Sequence, residues 1–63
     1  MIYTKIKELA AKSGITIGQL EVATGIPRTA MREWDVHMPA ANKLLVIAKY
    51  FGVTVEDLLD EVS

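Results

Sequence analysis

Arg28 and Arg32 stand four residues apart, just beyond the Gly25-Ile26-Pro27 break in the stretch TIGQLEVATGIPRTAMREW, Thr16 to Trp34. On a helix turning about 100 degrees per residue, with Arg28 as origin, Arg32, Thr29 and Glu33 fall at about 40, 100 and 140 degrees, whereas Ala30, Met31 and Trp34 fall at about 200, 300 and 240. The interval therefore aims both guanidinium groups at one polar surface and leaves the apolar side chains to face a core. A guanidinium forks onto the two acceptors of a guanine edge, and the first residues of a helix laid in the major groove reach deepest. An exposed helix with an arginine pair at its start, braced by a preceding helix across a short turn, is what such readout requires. The plainer alternative is that both arginines are solvent charges on a surface helix, with Arg32 loosely beside Glu33 or Asp35 in ion pairs worth little.

The elements that must position this pair follow from periodicity and caps. Ile2, Ile6, Leu9 and Ala10 mark one face of a first helix over roughly 2–12, closed at Ser13-Gly14. Thr16 precedes Gln19 by three residues, the capping-box spacing that opens a second helix, which runs through Leu20 and Ala23 to Gly25. Pro27 suits the opening of a third helix, roughly 28–35, because it has no N–H to leave unpaired. After the Val36 to Ala40 loop, Leu44, Ile47, Ala48 and Phe51 repeat the helical spacing in a fourth helix ended by Gly52. Thr54 caps a fifth, in which Val55, Leu58, Leu59 and Val62 share a face and Glu56 and Asp57 sit near the positive end. No strand pattern, internal repeat or linker competes, so the expected fold is all-α and the 63 residues form one domain.

Bulk properties narrow the function. The chain lacks cysteine, so apolar packing and any self-association must stabilise a core near the lower size limit. Absence of cysteine and of a long apolar stretch predicts a soluble cytoplasmic protein that does not enter a membrane. The net charge of −1 by itself argues against a polyanionic partner, but the distribution is uneven. All seven Lys and Arg precede residue 50, where they face four acids (Glu8, Glu21, Glu33, Asp35); the remaining acids (Glu56, Asp57, Asp60, Glu61) crowd the other end. A mildly basic working face and an acidic remote end are compatible with that segregation. His37 is the only histidine, and with no phosphate-cradling glycine loop or convincing carboxylate pair there is no constellation for an enzyme, metal centre or cofactor.

The order L-x(4)-G-I-x(4)-M-x-x-W from Leu20 to Trp34, followed by a proline loop and LLVIAKYFGVTVEDLL, resembles the five-helix DNA-binding domain of the Cro and lambda-type repressor family, also called the xenobiotic-response-element family. The resemblance covers nearly the whole chain. It puts Leu20, Gly25, Ile26, Met31 and Trp34 on the family's core and turn positions of the helix-turn-helix. Three features depart from the common pattern: Glu21 stands where a small residue is usual, Thr24 where a large aliphatic one is usual, and the loop after Asp35 is about two residues short. With "LE" and "WD" these features look similar to a subset of small prophage-associated regulators. Glu21 is then either a buried charge paired across the crossing of the second and third helices or a side chain pointing to water.

By the family's docking mode, Arg28, Thr29, Arg32 and Glu33 face base edges, with Glu33 able to accept from a cytosine amino group yet repelling phosphates. Thr16, Ile17 and Gly18 form the N-terminus of the second helix, whose unpaired N–H groups suit a DNA phosphate, although Thr16 and Gln19 equally read as a plain cap. Lys12, His37 and Lys43 are further phosphate candidates on the flanking turns, or ordinary surface. Trp34, at helical spacing from Met31, reads as core. The resemblance implies a homodimer on a pseudo-palindromic operator of double-stranded DNA, with Val53, Val55 and Leu58 near the dimer face and half-sites about 34 Å apart. A transcriptional repressor acting by occupancy is the leading expectation. The alternative is a protein-interaction module on the same scaffold, antirepressor-like or antitoxin-like, or a redesigned domain that keeps the fold without DNA binding.

Overall fold

The computed structural model describes residues 2–59, which form five α-helices and, within that span, no strand. α1 spans Ile2–Ser13, α2 Ile17–Thr24, α3 Arg28–Arg32, α4 Ala41–Phe51 and α5 Val55–Leu59. A short 3₁₀ turn, Glu33–Asp35, continues α3. The part of the fifth helix expected around Val62, and the acids Asp60 and Glu61, lie outside the described residues. No described helix is long and apolar enough to cross a membrane.

Each helix begins and ends where local chemistry dictates. At α2 both halves of the capping box form: the Gln19 N–H donates to Thr16 Oγ1 at 3.0 Å and the Thr16 N–H donates to Gln19 Oε1 at 2.8 Å. Two backbone donors that helix geometry leaves unpaired are thereby satisfied. α2 stops at Gly25, whose φ of 74° lies in the left-handed region, and its N–H closes on the Glu21 carbonyl at 2.8 Å. Thr24, where an aliphatic residue is commoner, bonds within its own turn: its hydroxyl donates to the Leu20 carbonyl at 2.8 Å and accepts from the Ile26 N–H at 3.3 Å. Thr54 and Asp57 make a second reciprocal cap at α5, each backbone N–H donating to the other's side chain at 3.1 Å.

The expected single helix over 28–35 is divided. α3 keeps α-helical geometry only to Arg32, and Glu33–Asp35 tighten into the 3₁₀ turn. Tertiary contacts accompany the change. Asp35 is anchored to the start of α1, where its carboxylate accepts from the Thr4 N–H at 3.2 Å and from the Thr4 hydroxyl at 3.1 Å. Trp34 meanwhile turns into the core at 9% exposure. Tight turns of this kind are common at helix ends.

One core unites the helices. Ile2 and Ile6 from α1, Leu20 from α2, Ile26 from the turn, Met31 and Trp34 from the α3 region, Leu44, Ile47 and Ala48 from α4 and Leu58 from α5 form a single cluster. Each fully buried aliphatic side chain contributes about 1.5–3 kcal/mol relative to exposure, and no buried side-chain polar group among the described residues lacks a partner. One expectation is corrected here. Leu58, assigned to a dimer face, is fully buried inside the protomer and is packed against the core, so it offers no surface to a second copy. Val53 and Val55 are half-buried beside it.

Candidate nucleic-acid interface

α3 is five residues long, too short to persist alone in water. Its position is imposed from beneath by Met31, fully buried, and by Trp34. With those two turned inward, Arg28, Thr29, Arg32 and Glu33 are exposed on the opposite side, and Ala30 is half-buried between the faces. The residues expected to face bases therefore share one solvent-facing strip. Arg32, Thr29 and Glu33 line an open depression of about 390 Å³ together with Val36 and His37. This places His37, expected at a phosphate, beside three of the residues expected at bases.

Val36 reads in the sequence only as the first residue of the loop to Ala40. It is 79% exposed and lines the same depression. The only sequence signal pointing to it was its place directly after the Trp34-Asp35 pair that ends the exposed strip.

Arg28 has a more constrained setting than Arg32. Pro27, the residue before α3, supplies no side-chain cap, and the Arg28 N–H instead donates to Glu21 Oε2 across the helix-turn-helix. The other carboxylate oxygen of Glu21 lies 3.8 Å from Arg28 Nη2. Of the two alternatives open for Glu21, the structure takes the pairing across the crossing without the burial, the side chain being 31% exposed. The guanidinium also reaches back over the first turn of α2. A Cβ placed on Gly18 would lie 3.9 Å from Arg28 Nη2 and 3.7 Å from Thr16 Oγ1, so this glycine borders the arginine without being crowded by it.

The N-terminus of α2 thus meets the N-terminus of α3 on one side of the molecule. Thr16 is exposed, Ile17 and Gly18 are half-buried, and Ile17 packs against the core. The Thr16 hydroxyl is occupied by its cap, which leaves backbone N–H groups of the first turn as the donors such an end presents. Lys12, in the last turn of α1, and Lys43, in the first turn of α4, are exposed. Among the described residues no group of three or more His, Cys, Asp or Glu is placed to hold a metal ion.

The arrangement is an exposed short helix with forked cationic donors at its start and end, seated on a second helix with a capped N-terminus. In comparison with known proteins the chain matches a family model described as Cro/C1-type HTH DNA-binding domain, over residues 5–62. No curated protein and no solved structure matches the chain.

Proposed function

The chain belongs to the Cro/C1-type helix-turn-helix DNA-binding domain family, and on that premise we propose that it regulates transcription as a repressor, occupying a pseudo-palindromic operator as a homodimer in the cytoplasm. α3 enters the major groove. Arg28 and Arg32 discriminate guanine by forked donation to its two acceptors, and Thr29 and Glu33 border them. The backbone N–H groups of Ile17 and Gly18, with Lys12, His37 and Lys43, take phosphates and set the register without reading sequence. The dimer face includes Val53 and Val55, with Leu58 left to the core.

One observation carries this reading above others. Met31 and Trp34 are buried while both arginines remain exposed on the outer side of the same short helix, so the fold spends core residues on holding that helix and leaves its charged face outward. The test is selection from random duplexes at low salt followed by mobility shift. The expected result is a palindromic preference, binding that weakens steeply as salt rises, and loss of preference at one base pair per half-site on Arg28→Ala. Failure of the chain to retain any duplex at low salt refutes the proposal and favours the protein-interaction alternative.

A further inference from the structure

Resting on the DNA reading above, we propose that Glu21 is a positioning residue for base recognition: its carboxylate holds the Arg28 guanidinium in place and thereby narrows the base pairs that Arg28 accepts.

The geometry ties the Arg28 backbone to Glu21 and sets the Arg28 side chain beside two neighbours. The Arg28 backbone is fixed by the bond from its N–H to Glu21 Oε2. The guanidinium lies 3.8 Å from Glu21 Oε1. A Cβ on Gly18, in the first turn of α2, would lie 3.9 Å from Arg28 Nη2. The arginine side chain nevertheless stays 52% exposed, so it borders Glu21 and Gly18 while remaining open to solvent. Without the carboxylate, an arginine at this place would be free to settle on the nearest phosphate, a contact that adds affinity but carries no sequence information. The restraint has an opposite consequence as well, because a negative charge beside the DNA-facing helix repels the phosphates. Glu21 should therefore lower affinity for duplexes in general while sharpening the choice at the base pair read by Arg28.

Those two effects of opposite sign give the test. Glu21→Gln keeps an acceptor for the Arg28 N–H and removes the charge; Glu21→Asp keeps the charge and withdraws it by one methylene. Each is compared with the wild-type chain by selection from random duplexes and by titration at fixed salt, with thermal melting as a check on folding. For Glu21→Gln the expected outcome is tighter binding to random duplex, by about twofold to fivefold. Discrimination should fall by about threefold to tenfold, confined to the base pair whose preference Arg28→Ala abolishes. Glu21→Asp should flatten the same base pair without the gain in affinity. In an Arg28→Ala background neither variant should alter the preference there.

Equal tightening on all sequences with the preference intact would reduce Glu21 to a through-space charge and overturn the proposal. Parallel loss of affinity on all sequences with a lower melting temperature would reduce it to a brace for α3 and overturn it equally. If the wild type selects no sequence, the DNA reading falls and takes this inference with it. If the wild type selects and Arg28→Ala flattens its preference while both Glu21 variants behave as wild type, this inference alone falls.

Discussion

Two arginines one helical turn apart occupy different surroundings in this molecule, and their substitutions should separate accordingly. Arg28 is tied to Glu21 and lies beside Gly18, whereas Arg32 shares an open depression with Thr29, Glu33, Val36 and His37. Lysine at position 28 keeps the charge but presents no planar fork. Arg28→Lys is expected to leave affinity for random duplex within about twofold while discrimination at one base pair drops by about tenfold; competition binding with single-base operator variants measures both. Lys43, at the start of α4, is proposed at a phosphate, and its effect should be of the other kind. Lys43→Gln should weaken binding uniformly across sequences and make the slope of log affinity against log salt shallower by about one, read from titrations at several salt concentrations. A sequence-dependent loss from Lys43→Gln would reassign that residue to base contact.

Capping and turn chemistry hold the elements that carry these side chains. Thr16 and Gln19 satisfy each other's backbone donors, so Thr16→Ala should cost about 1 kcal/mol of stability, measured by urea denaturation. Gly25 sits at a φ of 74°, and a Cβ there would meet nothing within 4 Å, so the penalty of Gly25→Ala is one of backbone conformation alone, about 1–2 kcal/mol. Both substitutions should also weaken DNA binding indirectly, because α3 is too short to hold its own geometry once the turn before it loosens. The caps at Thr16 and Thr54 and the stops at Gly25 and Gly52 were legible in the sequence because each depends on residues within a few positions of one another. The end of α3 was not. Its change to a 3₁₀ turn accompanies the anchoring of Asp35 to Thr4, thirty-one residues away, and no window of local periodicity contains both partners.

Across the whole molecule, burial separates what supports the fold from what is left for partners. Leu58 belongs to the first group: Leu58→Ala should cost about 2–5 kcal/mol, with a denaturation midpoint that shifts equally at low and high protein concentration. A loss confined to high concentration would instead return this residue to a dimer face. The apolar spacing along the chain determined by itself that the protein is helical, which positions face inward on α1 and α4, and that Met31 and Trp34 oppose Arg28 and Arg32, since helical periodicity is a property of consecutive residues. Only the tertiary structure decided that Glu21 pairs with Arg28, that Asp35 fastens to α1, and that Leu58 turns wholly inward. Each of those depends on the angle and distance at which separate helices meet, which the packing of the shared core sets and which the order of residues within any one helix does not express.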